Sequence, residues 1–322
     1  MKKNSFGLLG QVSALTLGGG GIGQVWGANT REECVATIHA AIDAGIDLLD
    51  TAPMYGNCEA IVGETFAGKL PAGLRTTTKC GLGTPAPTDV EKMLTASLEN
   101  SLKTMRLDRI DIFFLHSNIC PDDYVYAIRP ERQDTFATRW SVYRELVIPV
   151  FEKLKAAGKI GHWGITASGV PDTIIRALKH TPKPAYAQVV TNLLDSAGSL
   201  RRYAEPARPR DILQAANDSG VSVLGIRAVQ AGALTAQIDR ELSANNPDTK
   251  DYDRAAPFRA LAKEIGEAPA VLAHRYALAM PGVATVILGV KNRAELAQCV
   301  DAAARPLDSA TMARIDALGL RG

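Results

Sequence analysis

The feature that most constrains the fold is a regular alternation of short apolar runs with helical patterns along the chain. The runs are rich in β-branched and other apolar residues, and they occupy Leu15–Gly18, Ile46–Ala52, Arg75–Cys80, Ile110–His116, His162–Ala167, Ala185–Asn192, Val221–Ala228 and Ala284–Val290. Strands that alternate with helices predict parallel strands joined by crossovers, either in a doubly wound sheet or in a closed barrel.

The helical segments between these runs have clear boundaries. Thr30 and Glu33 form a capping box at the start of a helix over 30–44, and Gly45 follows its end. Further helices are predicted at Thr88–Met105, Val142–Ala157, Pro171–Lys179, Arg210–Asp218, Pro257–Ile265 and Arg293–Ala304. Eight strands in 322 residues favour a (β/α)8 barrel as one domain over 1–322, with an extra C-terminal helix after Asp308.

Two long polar stretches interrupt the alternation, Ser117–Trp140 after the fourth strand and Gln237–Ala256 after the seventh. Long loops in compact domains are usually functional or disordered, and active sites of barrels lie at the carboxyl ends of the strands. The first stretch is charged, with Asp122, Asp123, Arg129, Arg132 and Arg139. Such charges suit a polar substrate, such as a sugar or a carboxylated aldehyde, and equally suit a solvated lid.

Composition excludes several classes of function. The formal net charge of +2 gives no reason to expect nucleic acid or an anionic membrane as a partner. The five cysteines are scattered without a CxxC pair or zinc-ligand spacing, which indicates reduced thiols and no metal site. Glycines and polar residues interrupt the apolar stretch after Lys3, so we expect no secretion signal and a cytoplasmic protein.

The segment 17–23, LGGGGIG, formally satisfies the GxGxxG pattern through Gly18, Gly20 and Gly23. A dinucleotide fingerprint opens a helix at once, so that the helix N-terminus faces the pyrophosphate. Here the next predicted helix is capped only at Thr30. We therefore interpret the glycines as a flexible connection at the mouth of the barrel and not as a Rossmann motif.

Ionisable side chains follow three successive predicted strands. Asp50 lies near the end of the second strand and Tyr55 follows it, Lys79 lies at the end of the third, and His116 ends the fourth. Reduction of a carbonyl requires a proton donor at oxygen, and a phenol suits this role when its surroundings tune it. A nearby lysine would lower the pKa of the phenol, a carboxylate would hold the lysine, and a histidine could orient the substrate oxygen.

These motifs resemble those of the aldo-keto reductase family. The segment 50–59, DTAPMYGNCE, followed by Val62-Gly63, is similar to the family signature around its catalytic tyrosine. The segments 77–81, TTKCG, and 114–116, FLH, resemble its lysine and histidine strands, and the likeness extends from about Leu15 to Ala303. The resemblance implies a (β/α)8 fold, an NAD(P)-dependent oxidoreductase acting on an aldehyde, ketone, alcohol or aldose, and a tetrad of Tyr55 (general acid/base), Lys79, Asp50 and His116.

The resemblance also implies where a nicotinamide cofactor, NADP or NAD, would bind. Thr166 and Gln188 match positions that hold the carboxamide, although Ala167 replaces the usual polar partner. The segment 288–292, LGVKN, resembles the adenosine-phosphate segment, which assigns Gly289, Lys291 and Asn292 to the cofactor.

Two residues of opposite charge leave the choice between NADP and NAD open. Lys291 would suit a 2′-phosphate, whereas Glu295 would repel it and could instead bind a free ribose hydroxyl. Arg227 stands where a smaller residue is usual, and we hypothesise that it pairs with the pyrophosphate; an ordinary salt bridge is the equal alternative. Trp26 and Met54 are candidates for walls of the substrate pocket, although Trp26 could equally pack its own loop.

Two other functions are weighed against this interpretation. A Schiff-base lyase could use Lys79 as its nucleophile, but pairing with Asp50 would keep the amine charged and unreactive. A non-catalytic, nucleotide-binding regulatory subunit also fits, because the family resemblance extends to potassium-channel β subunits that retain the tetrad. The substrate, the direction of reaction and the oligomeric state do not follow from the sequence.

Overall fold

Eight parallel strands close into a barrel in the computed structural model, which describes residues 1–322. The strands are β1 (Leu15–Gly18), β2 (Leu48–Asp50), β3 (Arg75–Cys80), β4 (Ile110–Leu115), β5 (Ile160–Thr166), β6 (Tyr186–Val190), β7 (Ser222–Ile226) and β8 (Val283–Leu288). Each pairs with the next along the chain, and β8 pairs with β1. The predicted (β/α)8 fold is confirmed.

The predicted strands overlap all of the observed ones but run too far in several places. The run Ile46–Ala52 contains only the short strand Leu48–Asp50, and Ala185–Asn192 contains Tyr186–Val190. The flanking residues, polar and apolar alike, are mostly buried, but the backbone leaves the strand pairing there. At the ends of a barrel strand, a residue can therefore be buried without taking part in strand pairing.

Helices surround the barrel. They are α1 (Arg31–Asp43), α2 (Cys58–Phe66), α3 (Val90–Met105), α4 (Ile148–Ala156), α5 (Pro171–Lys179), α6 (Pro209–Asp218), α7 (Pro247–Arg254), α8 (Ala256–Glu264), α9 (Pro269–Ala279), α10 (Arg293–Ala304) and α11 (Ser309–Asp316). The capping box is present, since Thr30 accepts a hydrogen bond from the backbone N–H of Glu33. The extra C-terminal helix is α11.

Three helices are absent from the sequence prediction. Helix α2 begins inside the tyrosine signature, where motif residues obscure its periodicity. Helix α7 lies in the polar stretch predicted as a loop, and its residues are almost all polar. Helix α9 is buried on most of its circumference, so its apolar residues show no single-faced repeat.

A short antiparallel hairpin of Lys3–Ser5 with Gln11–Ser13 precedes the barrel. Its Phe6 and Val12 are fully buried among side chains of the barrel interior, including Leu48 and Ile112. Arg75, the first residue of β3, donates to the carbonyls of Leu9 and Gln11. The hairpin therefore closes the amino ends of the strands and leaves the carboxyl ends open to the two long connections.

Both long connections contain structure. The segment 117–140 forms two short parallel strands, Asn118–Cys120 and Ala137–Arg139, and the segment 237–256 contains α7. All five cysteines are buried and free. No helix has the length and apolar character needed to cross a membrane.

Candidate active site

A buried ion pair lies at the carboxyl ends of β2 and β3. Lys79 is 0% and Asp50 2% exposed, and the Lys79 Nζ donates to Asp50 Oδ2 at 2.7 Å and to the Thr51 carbonyl at 2.8 Å. The other carboxylate oxygen accepts from Thr77 Oγ1 at 2.7 Å and from Gln188 Nε2 at 2.6 Å. The lysine charge is thus neutralised within a closed set of hydrogen bonds.

Tyr55 and His116 join this pair at the same rim. The Lys79 ammonium lies 4.6 Å from the centroid of the Tyr55 ring. The ring of Tyr55 meets the imidazole of His116 edge to face, at a centroid distance of 5.9 Å. The structure therefore brings together all four ionisable residues that the sequence singled out.

The protonation of Tyr55 differs from the sequence expectation. Burial raises the pKa of the Tyr55 phenol above its ordinary value of 10.0, and the opposing charge of Lys79 does not reverse that direction. The charge of Lys79 acts in the expected direction, but desolvation of the phenolate outweighs the attraction of the ammonium. At neutral pH the phenol carries its proton and is available as a donor.

The surroundings of Lys79 and His116, the two basic residues beside Tyr55, determine their protonation states. Burial alone would lower the pKa of Lys79, but the charge of Asp50 and its hydrogen bond raise it above its ordinary value. Burial and the charges of Lys79 and Arg202 lower the pKa of His116 to about 3. Around neutral pH the lysine is an ammonium and the imidazole is neutral, so each can donate a hydrogen bond.

The glycine segment packs directly against the site. Residues Gly19–Ile22 form one buried helical turn immediately after β1, where the sequence predicted no helix before Thr30. A Cβ at Gly23 would collide with the Tyr55 carbonyl oxygen, and one at Gly21 with the Val290 carbonyl oxygen. The glycines let the backbones of three rim segments touch, and this close packing holds the loop that carries Tyr55.

The residues assigned to the carboxamide lie side by side. Thr166 ends β5 and pairs in register with Gln188 on β6, and both side chains are buried. Thr166 Oγ1 donates to the Leu115 carbonyl at 3.2 Å, while the amide of Gln188 donates to Asp50. Gln188 thereby connects the predicted cofactor side of the barrel to the ion pair, a link that the sequence did not suggest.

Arg227 lies in a second buried ion pair. Its Nη2 donates to Asp248 Oδ1 of α7 at 2.5 Å, and its Nε donates to Gln230 Oε1 at 2.8 Å. Gln230 in turn donates to Asp251 Oδ2 at 2.7 Å. The structure thus contains the ordinary salt bridge that the sequence left as an alternative, and pairing of Arg227 with a pyrophosphate stays a prediction.

The segment after β8 is rich in opposed charges. The Lys291 ammonium pairs with Asp239, and it also lies 3.4 Å from Glu295 Oε1. Asn292 caps α10 by accepting from the Glu295 backbone N–H at 2.9 Å. Lys291 and Glu295, whose charges favour different cofactors, therefore lie in one cluster, and two carboxylates surround the single lysine.

The two candidates for the substrate pocket differ in setting. Trp26 is half-buried, and its indole lies over Gly20 and Gly289, with the Arg240 guanidinium 5.5 Å from its ring centroid. Met54 is 51% exposed, next to Tyr55. Trp26 thus packs across the rim between β1 and β8, whereas Met54 points into solvent beside the tyrosine.

The sequence is similar to known proteins along nearly its whole length. The family model described as "Aldo/keto reductase family" matches residues 14–319. The chain is 25% identical to L-galactose dehydrogenase of Arabidopsis thaliana over 320 residues, which covers 96% of this chain and 91% of that protein. It is 24% identical to a D-threo-aldose 1-dehydrogenase of a Pseudomonas species, covering 94% of this chain and 93% of that protein.

Solved structures share the fold. An aldo-keto reductase of Bacillus halodurans in its holo form superposes with a TM-score of 0.72 at 24% identity, covering 99% of this chain and 96% of that one. A glycerol dehydrogenase of Gluconobacter oxydans superposes with a TM-score of 0.69 at 24% identity, covering 98% and 94%.

Proposed function

The chain belongs to the aldo-keto reductase family and is an oxidoreductase; from that premise we propose that Asp50, Tyr55, Lys79 and His116 carry the proton transfer of its reaction. The observation that supports this most is the convergence of a phenol, an ammonium and a neutral imidazole around one point on the rim. Hydride moves between a nicotinamide and a carbonyl or alcohol carbon, and oxygen gains or loses a proton.

Each residue has a separate role in the proposal. The Tyr55 phenol donates its proton to the substrate oxygen during reduction and takes it back during oxidation. The neutral His116 donates a hydrogen bond to the same oxygen and orients it. Lys79 lies against the phenol and stabilises the phenolate that forms, and Asp50 keeps Lys79 charged and in place.

The residues at the nicotinamide end fit the cofactor. Thr166 and Gln188 present buried polar side chains at the ends of adjacent strands, which suits recognition of a carboxamide. At the phosphate end, Arg227 and Lys291 supply positive charge, but each is already paired with a carboxylate. We infer that binding of the cofactor's phosphates requires these side chains to exchange partners.

We propose NAD rather than NADP as the preferred cofactor. Lys291 is the candidate ligand for a 2′-phosphate, yet Asp239 and Glu295 neutralise it, and a phosphate there would face two carboxylates. A free ribose hydroxyl could instead donate to Glu295. One name among the curated relatives, an NADH-specific methylglyoxal reductase of Escherichia coli, is compatible with this choice.

Titration calorimetry with NADH and NADPH, followed by turnover of simple aldehydes with each, tests the proposal. We expect NADH to bind more tightly by about tenfold, equivalent to ~1.4 kcal/mol, and to support reduction. Glu295→Gln should narrow the difference by removing one repelling charge. Tighter binding of NADPH would contradict the cofactor choice, and binding of neither nucleotide would contradict the function.

A Schiff-base lyase is disfavoured by the charge of Lys79. Formation of an imine requires a neutral amine, and enzymes obtain one by desolvating a lysine or placing it beside another cation. Lys79 is desolvated but bonded to the carboxylate of Asp50, which keeps its pKa above the ordinary value. The same pair that supports the oxidoreductase therefore opposes the lyase.

A further inference from the structure

Arg202 lies in the segment that connects β6 to α6, at the carboxyl ends of the strands. Its Nη1 donates to Asn118 Oδ1 at 3.2 Å and to the Leu200 carbonyl at 3.4 Å. Its guanidinium carbon lies 4.0 Å from the centroid of the Phe136 ring. The side chain is thus held against the 117–140 connection, and Asn118 follows His116 by two residues.

The remaining edge of this guanidinium has no protein partner. The Arg202 Nε is buried without a hydrogen-bond acceptor, and its Nη2 donates to no protein atom. Arg202 forms no ion pair with any Asp or Glu, and the charged side chains close enough to act on it are Arg129 and Arg132. By contrast, Arg227 is paired with a carboxylate.

An unpaired cation that is partly removed from water is costly, and buried donors almost always have acceptors. The neighbouring arginines make the surroundings of Arg202 positive, which increases the cost of leaving it unpaired. Burial accordingly lowers the pKa of Arg202 below its ordinary value, although an arginine remains charged. Arg202 therefore lacks a negatively charged partner in the protein.

Arg202 lies on the same rim of the barrel as the reacting groups, against the segment that follows His116. The positive charge of Arg202 is one of the causes that lower the pKa of His116. Asn118, which holds Nη1, also accepts from Tyr126 and donates to Ser168, so the arginine is fixed relative to the histidine strand.

We propose that Arg202 binds a carboxylate of the substrate, so that the substrate is an oxo acid or its hydroxy-acid partner. This inference rests on the proposed function, which it narrows from any small carbonyl compound to an anionic one. An arginine presents its donors in a planar fork, and the Nη2 group of Arg202, which has no protein partner, is the donor that a carboxylate oxygen reaches. Arg129 and Arg132 add longer-range attraction for the same charge.

Two pairs of probes isolate the carboxylate: 4-carboxybenzaldehyde and 3-carboxybenzaldehyde, each with its methyl ester. Each acid and its ester differ at the carboxyl group and present the same aldehyde. Calorimetric binding is measured with oxidised nicotinamide present, so that no hydride can be transferred, and kcat/KM is measured with reduced nicotinamide. The proteins are wild type, Arg202→Met, Arg202→Lys and the exposed control Arg129→Met.

We expect the wild type to bind at least one acid tenfold or more tightly than its ester. Arg202→Met, which retains packing on Phe136, should abolish that preference while changing ester binding by less than about twofold. Arg202→Lys should retain part of the preference, because it keeps the charge and loses the fork. Arg129→Met should change it by less than about threefold.

Equal binding of acid and ester by the wild type would overturn the proposal, and this holds even if Arg202→Met does not fold. A loss of affinity for nucleotide in Arg202→Met, with the acid preference intact, would assign the anion to the cofactor and also overturn it. Turnover of the esters reports separately on the proposed function. If neither the acids nor the esters are reduced while the acids still bind through Arg202, the oxidoreductase assignment of these residues fails and the anion site stands.

Discussion

Two buried ion pairs lie at the open end of the barrel, and they are built differently. Lys79 and Asp50 stand on neighbouring strands, β3 and β2, whose backbone pairing fixes their separation. Arg227 follows β7 with a left-handed backbone, φ 59°, and its partner Asp248 belongs to helix α7 in a long connection. The first pair is part of the rigid scaffold, whereas the second joins two segments outside it.

This difference assigns different tasks to the two pairs. A cation held on barrel strands keeps one geometry throughout a reaction, which suits tuning of a proton donor. A cation held by a connection can exchange its carboxylate for a phosphate when that connection moves, which suits binding and release. The comparison therefore predicts that disruption of the first pair affects turnover and disruption of the second affects affinity for nucleotide.

Among changes to the two ion pairs, Lys79→Met should have the greatest effect. Removal of the ammonium leaves Asp50 buried without its cation, and we expect a loss of about 3–5 kcal/mol in the free energy of unfolding. Turnover should fall by a factor of ~10³, in the range typical for loss of acid–base assistance. Urea unfolding and kcat measure the two effects.

A matched double variant at the first pair separates the loss of stability from the loss of turnover. Lys79→Met with Asp50→Leu replaces the ion pair by apolar side chains and should recover most of the stability but none of the activity. Recovery of turnover in the double variant would show that the pair serves only the fold and would contradict its role beside Tyr55.

The second pair should give a smaller effect, on binding. Arg227→Met should weaken nucleotide binding about tenfold, and Asp248→Asn, which frees the arginine, should strengthen it by a few-fold. Neither variant should change kcat by more than about threefold, because neither residue contacts Tyr55 or Lys79. If both variants weaken binding equally, Arg227 is an ordinary salt bridge that orders α7, and the exchange of partners is wrong.

The smallest expected effect is the response to pH in the neutral range. The pKa of His116 is lowered to about 3, so kcat/KM for reduction should show no inflection near pH 6.5, where a free histidine titrates. Because the pKa of Tyr55 is raised, the phenol loses its proton, and with it the ability to donate, only above its ordinary pKa of 10.0. The rate of alcohol oxidation, which needs the phenolate, should rise with pH above 10.0. A bell centred near neutrality would contradict both assignments.

The two regions also differ in how well the sequence predicted them. The barrel and the position of each strand followed from the alternation of apolar runs, and the family from the signature around Tyr55. Asp50, Lys79 and His116 lie at strand ends, where chain order alone places them at one rim. Their convergence was therefore predictable without knowledge of any side-chain contact.

The connections were not predictable in the same way. Helix α7 is polar and has no apolar face to reveal it, yet Asp248 and Asp251 anchor it to Arg227 and Gln230. Arg202 is unpaired because of the loops that meet around it, and no local sequence pattern indicates which loops meet. The direction of the Tyr55 pKa depends on burial, which a list of charged neighbours does not contain.

A single-turnover comparison of Tyr55→Phe with the wild type tests most directly whether Tyr55 is the proton donor. The variant is loaded with reduced nicotinamide, its dissociation constant is measured, and an aldehyde is then added while nicotinamide oxidation is followed. We predict nucleotide affinity within about twofold of the wild type and a hydride-transfer rate lower by ~10²–10⁴, because only the proton donor has been removed. A variant that transfers hydride at the wild-type rate would contradict the assignment of Tyr55 and, with it, the account of the cluster.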